Sequence, residues 1–103
     1  MYKMLKLVLG EFIGTFIFLS TIIFVVGQSP NDITNLFKIG LALIVVIAIY
    51  GNITGGHFNP AVSIMFFLNN QLTIDKLFLY ILAQIAGGAV ALLIFKLMTG
   101  KNF

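Results

Sequence analysis

The octapeptide Gly55-Gly56-His57-Phe58-Asn59-Pro60-Ala61-Val62 gathers most of the groups in this chain that could do chemistry. It holds two glycines that free the backbone, an imidazole, a carboxamide and a proline. Glu11 stands alone in one apolar run and Gln84 in another. These groups can hydrogen bond, but they do not add up to a reaction centre. Glu11 and His57 have no nucleophile or substrate cleft within sequence reach, which argues against an enzyme. A histidine without a second ligand argues against a metal, and the absence of cysteine removes disulfides, redox chemistry and thiolate sites. No cofactor is expected.

The spacing within the octapeptide predicts a particular geometry. Asn59 is a good N-cap and Pro60 suits the first helical position, so Pro60–Leu68 reads as a short helix. About nine residues at ~1.5 Å each cover ~14 Å, roughly half the thickness of a bilayer's hydrocarbon. That length describes a re-entrant half-helix. Its unpaired N–H groups and positive dipole end would point into the bilayer centre, with the Asn59 amide as a donor at the tip. The Gly55, Gly56 and His57 segment would offer carbonyl oxygens along an approach that glycine keeps open. A row of acceptors leading to a donor at a positive tip suits a small neutral dipolar solute and repels cations, hydrated protons included.

The elements that must hold this segment are apolar. Of the 103 residues 60% are hydrophobic and 9% charged, far from the balance of a soluble domain, so the chain reads as a multi-pass integral membrane protein. Apolar stretches at 7–26, 39–53 and 77–95 each approach the ~20 residues that a spanning helix needs. They predict a single all-α unit with helices at about 5–27, 36–53 and 74–98, and the re-entrant loop and half-helix at 54–69. Gln28-Ser29-Pro30-Asn31-Asp32 carries turn chemistry between the first two spans, and Thr73 or Asp75 would cap the third. A signal peptide is disfavoured for the first stretch, because Glu11 sits inside it and no small-residue cleavage site follows promptly. Gly10 and Gly14, and Ala83, Gly87, Gly88 and Ala91, are small-residue positions where helix backbones can approach, within the chain or between chains. The phenylalanines read mostly as lipid-facing bulk. The six lysines are spread over the connections, with no cluster that would suggest nucleic acid, and Lys96 would snorkel to the interface.

Three blocks carry a resemblance to a known family. Glu11-Phe12-Ile13-Gly14-Thr15, the octapeptide, and Tyr80-Ile81-Leu82-Ala83-Gln84 together resemble the first half of the aquaporin and glycerol-facilitator (major intrinsic protein) family, over nearly the whole chain. The resemblance implies three spans and one half-helix, one inverted repeat of that fold. It implies a membrane channel for passive transport of water or a small neutral solute such as glycerol. By the same resemblance Asn59 of the Asn59-Pro60-Ala61 motif would donate to the permeant, and Gly55, Gly56 and His57 would present carbonyls. Glu11 would hold the loop, Gln84 would brace it, and Phe18, Ile39 and Leu43 would be apolar pore wall. Val62 falls, by repeat symmetry, where the family's other half carries a selectivity arginine. Asn52 stands where a histidine is common, and Ile39 where an aromatic residue usually lines the constriction.

A second Asn-Pro-Ala and any arginine are absent from the sequence. One such unit cannot enclose the usual pore, so self-association or a second half-channel chain is expected. Lys3, Lys6 and Lys76 would lie on one side of the membrane and Lys38, Lys96 and Lys101 on the other, an even balance without orientation preference. Insertion both ways would allow an antiparallel homodimer. Two alternatives compete: a non-conducting structural or assembly subunit of a channel built with another chain, and an inactive truncated remnant.

Overall fold

The computed structural model describes residues 2–28 and 31–100, and among them every regular element is a helix: α1 (Tyr2–Val26), α2 (Ile33–Thr54), α3 (Pro60–Leu68) and α4 (Ile74–Thr99). Ser29 and Pro30 of the expected turn, and the segment 101–103 with Lys101, lie outside the described residues. The three long helices have the length and apolarity needed to cross a membrane. The longest dimension, 39 Å, approaches the ~40–45 Å of a bilayer with its headgroups.

Local chemistry sets the ends. Asp32 caps α2, its carboxylate accepting from Thr34 N–H at 2.8 Å. Thus α2 starts at Ile33, ahead of the apolar onset near Leu36, because a cap can recruit polar Thr34 and Asn35 into the first turn. α2 stops at Gly55, whose φ of 92° is a left-handed conformation that glycine adopts without a Cβ clash. α4 stops likewise at Gly100, with its N–H on the Lys96 carbonyl. Thr73 occupies the α4 N-cap position, without a capping bond from its side chain, and Asp75 lies in the first turn.

α1 is the central helix, flanked by α2 and α4, and α3 rests on α4. Small residues set these distances. A Cβ on Gly87 would lie 2.8 Å from the Phe12 carbonyl oxygen, so the α1 and α4 backbones nearly touch. A Cβ on Gly10 would meet Thr54 and Tyr50 of α2, and one on Gly14 would collide with the Phe58 ring. The glycine pair of α1 is therefore used inside the unit.

The interior is as polar as it is apolar. Glu11, Thr15, Thr54, His57, Ser63 and Gln84 are buried beside Val46, Phe58, Tyr80 and Phe95, while large apolar side chains cover the outside. That inverts the soluble pattern, as expected where the surroundings are lipid or other apolar helices. Phe58 and Phe95 depart from the reading of phenylalanines as outward bulk. Phe58 is wedged over Gly14, and Phe95 packs edge-to-face on Phe24 with centroids 4.8 Å apart. α2 is the least covered span: only Asn35, Val46 and Thr54 of its residues are buried.

Candidate functional site

The segment between α2 and α3 hangs on one carboxylate. Glu11 is fully buried, and its Oε2 accepts from Thr54 Oγ1 at 2.8 Å and from His57 N–H at 3.2 Å. Its Oε1 accepts from Phe58 N–H at 2.9 Å and from Gln84 Nε2 at 2.8 Å. Two of the four donors, the His57 and Phe58 amides, are buried groups that would otherwise be orphaned. Gly55 N–H remains on the Gly51 carbonyl, and Gly56 N–H donates to Thr54 Oγ1 at 3.0 Å. Four consecutive amides, 55 to 58, are thus tied to α1 and α2.

This has a directional consequence. In a trans peptide the C=O of one residue points opposite to the N–H of the next. With the amides of Gly56, His57 and Phe58 turned toward Thr54 and Glu11, the carbonyls of Gly55, Gly56 and His57 turn away from them. No hydrogen bond to these three oxygens occurs among the described residues. The turn requires left-handed backbone at Gly55, at Gly56 (φ 66°) and at Phe58 (φ 54°). For phenylalanine that conformation is strained, and the Glu11 bond to its N–H together with the packing of its buried ring over Gly14 holds it there.

At the α3 tip Asn59 is extended (φ −158°), and its Oδ1 accepts from Ala61 N–H at 2.8 Å. The cap uses the oxygen, so the Nδ2 donors stay available, and Asn59 is exposed. Pro60 and Val62 are half-buried and Ala61 is exposed. His57 is fixed from three sides: its Nδ1 is 2.8 Å from Ser63 Oγ, its ring stacks on Phe66 at 4.7 Å, and Tyr80 meets it edge-on at 5.0 Å. Ser63 Oγ also accepts from Gln84 Nε2 at 2.9 Å, and Tyr80 OH donates to the Thr54 carbonyl at 2.6 Å. Gln84 therefore ties Glu11 to α3. A cleft of about 850 Å³ opens beside Gly55 and His57, with Asn70, Gln71 and Lys76 on its lining.

The structure brings Glu11, His57 and Gln84 into one hydrogen-bonded cluster, joins Gly56 to it through Thr54, and leaves Gly55 on Gly51 and Asn59 exposed at the α3 tip. Phe18, Ile39 and Leu43 are half-buried on α1 and α2 and take no part in it. Sequence reasoning missed Thr54, Ser63 and the hydroxyl of Tyr80, and gave Phe58 no role. Thr54 had a signal in its place just before the glycines, and Ser63 in its spacing of one helical turn from Asn59. Among the described residues no group of three His, Asp or Glu could hold a metal ion.

The comparisons with known proteins agree with this architecture. The family model described as MIP, Major intrinsic protein, matches residues 1–102. The chain is similar to Aquaporin TIP1-2 of Musa acuminata, 37% identical over 81% of this chain and 40% of the relative. It is similar to Glycerol uptake facilitator protein-like 6 of Lactiplantibacillus plantarum, 40% identical over 81% of this chain and 39% of the relative. Aquaporin-B of Dictyostelium discoideum aligns with 99% of this chain at 30% identity, over 37% of its own length. The chain thus spans about 40% of the length of these relatives. With three spans, one half-helix and this match, the chain is an integral membrane protein that belongs to the major intrinsic protein family.

Proposed function

We propose that this chain forms half of a channel for passive passage of water or a small neutral solute, completed by a second half-channel chain. The observation that carries the reading is the polarity of the loop. Its amides are consumed by Glu11 and Thr54, while the carbonyls of Gly55, Gly56 and His57 are left free in sequence toward the Asn59 donor. A neutral dipole can accept from the donor and donate to the carbonyls. A cation meets the positive end of α3 at the same point. Relatives named as aquaporins and as a glycerol uptake facilitator support both permeants. In an assembly of two copies of this chain, which carries no arginine and has Val62 at the symmetry-related position, the constriction would be more apolar and discriminate less against weakly polar solutes.

The partner we favour is a second copy in antiparallel orientation, which would face two α3 tips at mid-membrane. The even split of lysines and the large uncovered apolar surface of α2 support it. Proteoliposome swelling in water and glycerol gradients tests the conduction. Wild type should exceed empty vesicles, and Asn59→Leu should fall to their level; equal wild-type and empty permeability refutes channel activity by this chain alone. C-terminal reporters active on opposite sides of the membrane test the antiparallel arrangement, which a single orientation would sink. Permeability that arises only with a second, different chain would assign this one to a hetero-assembly.

A further inference from the structure

Three of the six lysines, apart in sequence, line one cleft. The N-terminal end of α1, the last turns of α2 and the first turn of α4 surround a cavity of about 500 Å³ lined by Lys3, Lys6, Lys76 and Asn52, with Leu7 and Ile53 among its apolar residues. No carboxylate lines it. Asp75, next to Lys76, is exposed and lies off the lining, and α1 has no acidic residue in its first turn.

Electrostatics makes the arrangement favourable to an anion. Helix N-termini carry partial positive charge and favour anions, yet the lysines lie near the N-termini of both α1 and α4. Three ammonium groups and two positive dipole ends therefore converge on a lining without a carboxylate, and Asp75, which interacts with Lys76 from off the lining, together with the negative C-terminal end of α2 offsets only part of that charge. The Asn52 amide adds a neutral donor. The position along the spans is the membrane interface, since all these residues belong to the same end of the three helices. Exposed Tyr2, an aromatic residue suited to the headgroup level, stands at this end too. A free inorganic anion would have no use for Leu7 and Ile53, whereas an amphiphile would use both parts of the cleft.

We propose that this cleft is a binding site for the phosphate headgroup of an anionic glycerophospholipid, with the lysines and Asn52 on the headgroup and the apolar residues on the first part of the acyl chains. The cleft does not include the α3 tip, although it shares Leu7, Ile53 and Lys76 with the larger cleft beside Gly55 and His57, and lipid binding is read there independently of conduction. A lysine near an anionic lipid surface contributes about fivefold to binding, so the three together contribute on the order of 100-fold.

Native mass spectrometry of the detergent-solubilised protein, titrated with phosphatidylglycerol or phosphatidylcholine, reads the affinity for the first lipid bound. Wild type should prefer phosphatidylglycerol. The combined variant Lys3→Gln, Lys6→Gln, Lys76→Gln should lose that preference, the same positions as arginine should keep it, and Lys38→Gln with Lys96→Gln should leave it unchanged. Raising salt on wild type from about 50 to about 500 mM should weaken the preference, which tests the charge dependence without any substitution. The proposal is overturned if the glutamine triple variant binds like wild type, if the Lys38 and Lys96 pair matters equally, or if salt has no effect. Displacement of the lipid by soluble glycerol phosphate at equal concentration would overturn the assignment to lipid.

Discussion

Exchanging Glu11 for glutamine isolates the feature on which the loop depends. The carboxylate accepts two hydrogen bonds on each oxygen. Glutamine keeps the size but offers one oxygen and one NH2. If the oxygen replaces Oε1, Phe58 N–H and Gln84 Nε2 keep their acceptor, and the Thr54 hydroxyl can turn to the Tyr50 carbonyl, 3.3 Å away. His57 N–H, however, then faces a donor. If the amide is reversed, Gln84 can turn to offer its Oε1, which is buried without a partner. Phe58 N–H then faces a donor instead. Either orientation strands one buried loop amide, at a cost of about 1–3 kcal/mol. That raises the opening equilibrium of the loop by roughly 5- to 150-fold. Amide hydrogen exchange followed by mass spectrometry in micelles should show this acceleration in peptides covering 55–58, with the middle of α4 much less affected. Glu11→Ala, which strands both amides, should exceed it. Unchanged exchange at 55–58, or an equal rise along every helix, would refute the assignment of Glu11 as the anchor of these amides.

Further outcomes follow from single contacts. Asn59→Asp keeps an oxygen for the Ala61 cap but loses the donor, so helicity and thermal stability should hold while proteoliposome permeability falls. Phe58→Gly and Phe58→Ala both lose the buried ring, but glycine relieves the left-handed backbone. The glycine variant should be the more stable of the two by about 1 kcal/mol in denaturant titration. Gly87→Ala drives a methyl group against the α1 backbone and should cost about 1–3 kcal/mol. Gly40→Ala meets nothing within 4 Å and should be neutral, or stabilising by up to about 1 kcal/mol, in the same thermal melt. Tyr80→Phe removes the bond to the Thr54 carbonyl and should cost about 0.5–1.5 kcal/mol.

The elements themselves are written locally in the chain. Spans follow from apolar runs and the start of α3 from Asn59 followed by Pro60, because caps and helix periods involve residues within about one turn of each other; the Asp32 cap and the Gly55 stop are equally local, but the apolar run placed α2 at about 36–53 and left Asp32 in the turn. The sequence alone therefore determined a three-span unit with a half-helix after a glycine pair, and the motif blocks singled out Glu11, Asn59 and Gln84. What it left open were the partnerships across the fold. Phe58 and Gln84 meet Glu11 across 47 and 73 residues, and no local rule predicts which oxygen serves which donor. The positions of Thr54 and Ser63 carried a signal, but only folding showed that their hydroxyls serve buried donors. The lysines read as evenly scattered along the chain, yet the return of α4 beside α1 brings Lys76 to the same cleft as Lys3 and Lys6. Charge and hydrogen bonding act through space, so only the tertiary structure could decide which of these groups face one another.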